Sequence, residues 1–138
     1  MTPGVETRRY VGPPIRALID LHTELLAEHG GAPGVRDLGA LEAALARPFQ
    51  LMAYAEEKPG VIDLAAAVCA GILRNHPFVD GNKRAAFVAL GLVLGLNGFE
   101  LDAKEREAAD RILALAAGEL TEAAFRDWLL ANAVEAPE

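Results

Sequence analysis

The sequence predicts an all-α protein: a compact bundle of about six helices around a buried central helical hairpin, with a small flap at its side. Three observations lead there. Hydrophobic residues make up 52% of the 138-residue chain, mostly as Ala, Leu and Val, with five Phe, two Tyr and one Trp. That mixture suits helix packing better than a β-sandwich. Residues 61–75 and 82–97 are apolar all round, the pattern of helices buried on every side. The link between them is short enough to make them antiparallel neighbours.

In chain order, residues 1–14 carry Pro3, Gly4, Gly12, Pro13 and Pro14 and read as an extended arm, with room for a short strand at residues 9–11. A first helix over residues 15–29 has its apolar stripe in Ile15, Leu18, Ile19, Leu21, Leu25 and Leu26, and Gly30-Gly31 stops it. After a polar turn over residues 32–37, Leu38, Leu41 and Leu45 make a short second helix that Arg47-Pro48 ends. Residues 48–60, with Phe49, Leu51, Met52 and Tyr54, read as a loop or flap with exposed apolar groups. The hairpin follows. Gly71, Gly91 and Gly95 cost helix propensity, and close helix–helix approach is their expected return. Asn97-Gly98 closes the hairpin's second helix, and Phe99-Glu100-Leu101 is a short extended link. Residues 104–117 are amphipathic through Ala108, Ile112, Leu113 and Leu115. Thr121 caps a last helix with inner residues Ala124, Phe125, Trp128 and Leu129, and residues 133–138 are a frayed tail.

The length fits one domain over residues 1–138. A net charge of −7 argues against a general nucleic-acid binder, which needs a basic face, and is otherwise a matter of solubility. Cys69, the single cysteine, lies in an alanine-rich run and reads as a small buried hydrophobe. The first residues lack the apolar core of a signal peptide, and no apolar run approaches the roughly 20 residues of a membrane span. The expected location is the cytoplasm.

Chemistry concentrates in the hairpin's link, His76-Pro77-Phe78-Val79-Asp80-Gly81-Asn82-Lys83-Arg84. Pro77 stops the first helix, so His76 sits at its end. Gly81 frees the backbone before the next helix, whose first turn holds Asn82, Lys83 and Arg84. Two cations at a helix N-terminus oppose the helix dipole, which makes sense if a polyphosphate sits above them. Asp80 is close enough to hold a divalent cation bridging those phosphates, and His76 could take a proton from an incoming hydroxyl. Each residue also has a plainer reading: a helix-end histidine, a turn at Asp80-Gly81, a solvated Lys-Arg face and Phe78 as a core anchor. Turn chemistry alone does not supply their combination.

Residues 76–84 resemble the signature of the Fic/Doc superfamily in the form of its Doc (death-on-curing) branch. Lys83 stands where adenylylating Fic enzymes usually have glycine. Residues 30–37 and 41–48 agree with that branch, and the likeness in length and helix order covers roughly residues 15–130. The resemblance implies a Fic/Doc-like fold and a toxin using Mg²⁺-bound ATP to modify a protein hydroxyl. In adenylylating relatives AMP is transferred; in Doc the γ-phosphate passes to a threonine of elongation factor Tu, and translation stops. By this correspondence His76 is the catalytic base and Asp80 the metal ligand. Asn82, Lys83 and Arg84 clamp the phosphates, Asp80, Lys83 and Arg84 also counting as catalytic, while Gly81 lets the backbone come close. The family's flap falls on residues 49–58 and would hold the target by strand addition; Leu51, Met52 and Tyr54 are either its target-binding residues or ordinary core. A second arginine of adenylylating signatures is replaced by Phe87, which weakens the AMP-transfer reading. The family's inhibitory helix motif is missing, so restraint is expected in trans from an antitoxin whose tail lies in an apolar groove near the site. Adenylylation, or a non-catalytic binding module of the same fold, are the alternatives.

Overall fold

The structure, a computed structural model, describes residues 9–137. Six helices carry it: α1 (Ile15–His29), α2 (Leu38–Tyr54), α3 (Val61–Asn75), α4 (Asn82–Leu96), α5 (Glu105–Ala116) and α6 (Glu122–Asn132). Two three-residue strands, β1 (Phe99–Leu101) and β2 (Ala133–Glu135), pair antiparallel. The all-α class holds. None of these helices is long and apolar enough to cross a membrane.

Helix α3 is the axle of the bundle. It packs against α2, α4, α5 and α6, and every residue from Leu64 to Leu73 is buried. Its run Ala65-Ala66-Ala67 lets neighbours come near, because small side chains leave the interior filled by partners' larger ones. Gly71 has the role expected of it: a Cβ there would lie 3.2 Å from the Cα and Cβ of Ala44, so α2 crosses at that point. Gly91 and Gly95 do not. A Cβ on either would meet nothing within 4 Å. Helix α4 is therefore buried on one side only, through Ala85, Ala86, Ala89, Leu90, Val93 and Leu94, and Gly91, Gly95 and Leu96 are exposed. Cys69 is wholly buried, its Sγ 3.3 Å from the Ala86 carbonyl oxygen, and burial pushes the thiol's pKa well up, as suits an inert core residue.

Helix α2 corrects the boundary expected at Arg47-Pro48, since it continues to Tyr54. A proline inside a helix lacks one N–H and crowds the carbonyl four residues back, at about 3 kcal/mol or more. Tertiary anchors on both sides offset this. Arg47 Nη1 donates to Ala67 O at 3.1 Å, and its guanidinium forks onto Glu122 at 2.6 and 3.1 Å. Beyond Pro48 the Phe49 ring stands edge-on to Tyr10, centroids 5.4 Å apart, and Leu51 and Met52 pack on the core. The irregular segment shrinks to residues 55–60.

Both chain ends differ from expectation. No strand forms at residues 9–11. Instead the Asn97 amide stands in for one, accepting from Val11 N–H at 2.9 Å and donating to Val11 O at 2.8 Å, while Tyr10 is buried. The rest of the expected arm, residues 1–8, lies outside the described residues. The tail is not frayed over residues 133–135, because β2 gives it a partner in register with β1, Phe99 opposite Glu135 and Leu101 opposite Ala133. Thr121 caps α6 as predicted, accepting from Ala124 N–H at 3.1 Å.

Candidate functional site

Helix α3 ends on His76, which takes φ 46° and ψ 57°, the one left-handed non-glycine conformation among the described residues. Pro77 forbids continuation, but a left-handed histidine is unfavourable and persists only where its surroundings impose it. The segment between α1 and α2 does so. Arg36 Nε donates to His76 O at 2.8 Å, and its Nη2 donates to His76 O at 2.6 Å and to Asn75 O at 3.0 Å. A cation thus sits on the last carbonyls of α3, where the helix dipole favours it. The backbone adds Arg36 N–H and Asp37 N–H to Pro77 O, Val79 N–H to Gly34 O, and a bridge between Val35 and Phe78. Asn75 Nδ2 donates to Ala40 O at 3.0 Å.

From below, the elbow is held by the core. Phe78 is 1% exposed and stacks on the buried His22 ring, centroids 4.0 Å apart at 26°. His22 Nε2 lies 2.8 Å from Asp80 O. The Asn82 amide accepts from Phe78 N–H at 3.0 Å and donates to Phe78 O at 3.1 Å, tying the loop to the helix that follows it. Gly81 sits at φ 69°, and a Cβ there would fall 2.8 Å from Leu26 Cδ2 and 3.1 Å from His22 Nε2. Glycine answers both conditions, left-handed backbone and close contact beneath.

The outer surface of the elbow is left open for a ligand. The N–H groups of Asn82, Lys83 and Arg84 precede the first bond of α4, from Ala85 N–H to Gly81 O, and among the described residues no side chain caps them. Unpaired amides with the positive end of the dipole make an anion site, and Lys83 and Arg84 are exposed beside it. Arg84 Nη1 rests on Gly30 O at 3.2 Å. The Asp80 carboxylate takes Gly81 N–H at 2.8 Å on Oδ1, while Oδ2 lies where a Cβ on Gly31 would be only 3.0 Å away, so Gly31 gives it room. His76 is exposed, and Asn82 Nδ2 lies a weak 3.5 Å from its Nδ1. Two clefts flank Lys83. One, of about 380 Å³, has Phe87, Val88 and Ile112 on its walls with His29, Lys83 and Arg84; the other, of about 500 Å³, runs past His76, Asp110 and Glu119.

The structure brings His76, Asp80, Gly81, Asn82, Lys83 and Arg84 into one elbow. The Asn82 side chain is spent on Phe78, which leaves its backbone N–H for an anion. Leu51, Met52 and Tyr54 are not brought there. They lie in the last turns of α2, where Lys58 Nζ reaches Met52 O and Leu51 shares a cavity with Asp63 and Glu122. That is the N-terminal end of α3, and the elbow follows its C-terminal end, about 20 Å away along a helix of 15 residues. The backbone that flanks the elbow is residues 34–37 instead.

Whether magnesium suits the elbow depends on the donor set. Among the described residues no three His, Cys, Asp or Glu side chains converge. Asp80 is the carboxylate within the elbow itself, which suits an ion that takes one or two carboxylates and draws its other ligands from phosphate and water. Asp80 fits that role.

Two residues of this site escape sequence reasoning. His22 falls on the inner line Leu18, His22, Leu26 of α1, and a polar residue in that buried line is the signal that marks it. Arg36 carries no periodic signal; only its place in the glycine-rich stretch before α2 points to it.

A sequence model described as the Fic/DOC family matches residues 14–94. The toxin Doc of Mycolicibacterium smegmatis is 45% identical over 74 residues, 54% of this chain and 57% of that protein, so the match spans little more than half of that relative. The protein kinase doc of Escherichia phage P1 is 33% identical over 121 residues, 88% of this chain and 93% of its own length.

Proposed function

The chain belongs to the Fic/DOC family, and from that premise we propose that it is the toxin of a toxin–antitoxin pair, moving the γ-phosphate of ATP to a Ser/Thr hydroxyl of a protein. The observation that carries the reading is the uncapped first turn of α4, with Lys83 and Arg84 beside it and the His76 ring free at its edge. The triphosphate lies over the amides of Asn82, Lys83 and Arg84. The Lys83 ammonium and Arg84 guanidinium take up charge that builds on the phosphate oxygens. Magnesium, when bound with Asp80 as its protein ligand, would neutralise charge between neighbouring phosphates. His76 accepts the proton of the attacking hydroxyl as its oxygen bonds to the terminal phosphorus, and the bond from that phosphorus to the bridging oxygen breaks to release ADP.

The phage P1 relative bears the name of a protein kinase, and Lys83 and Phe87 depart from the adenylylating pattern in the same direction. Elongation factor Tu in the cytoplasm is the proposed target, and arrest of translation the outcome. An antitoxin in trans would lay an amphipathic acidic tail in the cleft lined by Phe87, Val88 and Ile112, where Lys83 and Arg84 outnumber Glu105 and His29 adds a donor.

The test is incubation with elongation factor Tu and ATP labelled at either the α or the γ position, followed by intact-mass analysis. Label from the γ position and a gain of one phosphoryl group are expected. Label from the α position with a gain of one adenylyl group would replace the reading by AMP transfer. No modification, with growth inhibition that survives His76→Ala, would favour a non-catalytic binding module.

A further inference from the structure

His22 belongs to α1, some fifty residues before the signature, yet among the described residues it makes the one side-chain hydrogen bond that reaches the Asp80–Gly81 peptide from the core. We propose that His22 is a positioning residue that locks this peptide in one orientation, carbonyl inward, so that no carbonyl faces the bound phosphates. The proposal deepens the nucleotide reading above and rests on it.

The geometry supplies the reason. The acceptor at 2.8 Å is a carbonyl, so Nε2 must carry the proton. His22 is 0% exposed, and its Nδ1 is buried without a partner, so the bond at Nε2 alone selects the tautomer. The ring is also clamped by its stack on Phe78, which leaves it no freedom to turn away. A lock is needed at this peptide. Gly81 at φ 69° has access to both signs of φ, so the peptide before it can flip with little steric resistance. A flip would aim the Asp80 carbonyl dipole at the site where three N–H groups converge, and it would withdraw the Gly81 N–H that orients Asp80 Oδ1. Anion binding and metal ligation would be lost together. With Nε2 protonated, His22 cannot accept from a flipped Gly81 N–H, so the donor favours one orientation and opposes the other.

The test compares His22→Phe, which keeps the stack and removes the donor, with His22→Gln, which restores an amide donor at similar reach. Calorimetric titration with Mg·ATP reads affinity, and ¹⁵N NMR of the parent histidines reads the tautomer without any turnover. Expected are a protonated Nε2 on His22, a loss of about tenfold or more in Mg·ATP affinity for the Phe variant, and recovery to within about threefold for Gln. A proton on Nδ1, a Phe variant that binds like the parent, or a Gln variant as weak as Phe would overturn the proposal. If the Phe variant does not fold, the parent tautomer and the Gln affinity decide on the same terms. Failure of the parent to bind Mg·ATP would sink the nucleotide reading instead, and the tautomer would still report whether His22 holds Asp80.

Discussion

The two ends of α3 handle charge in opposite ways. At its N-terminus, Asp63 Oδ2 caps the Gly60 N–H at 2.9 Å while Oδ1 takes Arg126 Nε at 2.6 Å, and nearby Glu122 receives the fork of Arg47. Each of these ionised groups has a partner of opposite sign, and the acidic group stands where the helix dipole wants it. At the C-terminus, the chain turns through a left-handed histidine and starts the next helix with Lys83 and Arg84 against the dipole. Arg84 rests there on a backbone carbonyl, that of Gly30. The same helix thus ends in a structural weld on one side and, on the other, in strain with two cations set against a helix dipole. Strain and unfavourable charge persist where a ligand returns the free energy.

The largest expected effect sharpens that contrast. His76→Gly should lower phosphoryl transfer by about 10²–10⁴-fold through loss of the base, yet leave stability unchanged or raise it by roughly 1 kcal/mol, because glycine accepts the left-handed conformation. Turnover and urea denaturation measured on one preparation check both halves; a large fall in stability would mean the strain is not there. At the other end, Glu122→Ala removes the partner of the half-buried Arg47 and should cost about 1–3 kcal/mol in urea unfolding, with activity per folded molecule unchanged. Loss of turnover without loss of stability would break the division between the ends.

Arg36→Ala should reduce activity about tenfold, since the carbonyls of Asn75 and His76 lose the group that spans them; Arg36→Lys should recover little, as one ammonium lacks the fork. The smallest effect concerns neither end. Burial pushes the Tyr10 hydroxyl from 10.0 up to about 12, and the Cys69 thiol upward from 9.0. Both groups release their protons at lower pH when unfolded, so stability is intact below about pH 9 and falls as pH rises towards 12. Tyr10 contributes about 1 kcal/mol of that fall by roughly pH 11, readable as a drop in Tm that Tyr10→Phe lessens by that share while the Cys69 part remains.

What was legible in the sequence is what periodicity and local chemistry encode. The stripe of α1, the apolar run of α3 and the Thr121 cap on α6 each translate directly into an element with nearly the expected bounds. The elbow was legible because nine adjacent residues carry its chemistry. The rest depends on contacts between distant segments. Pro48 looks like a stop until Arg47 meets Glu122, 75 positions away, and Phe49 meets Tyr10. The tail looks frayed until β1 pairs with it. Gly91 and Gly95 suggested close packing, but glycine marks an open face as readily as a tight one. His22 and Arg36 support the elbow from 58 and 40 positions upstream, and no local pattern reports a bond over that span.

Amide hydrogen exchange with and without Mg·ATP tests the central claim most directly, because it reads both ends of α3 in one sample. Slowed exchange is expected at residues 76–84, strongest at the amides of Asn82, Lys83 and Arg84, with residues 49–63 unchanged. Equal protection at both ends, or none over residues 76–84, would contradict it.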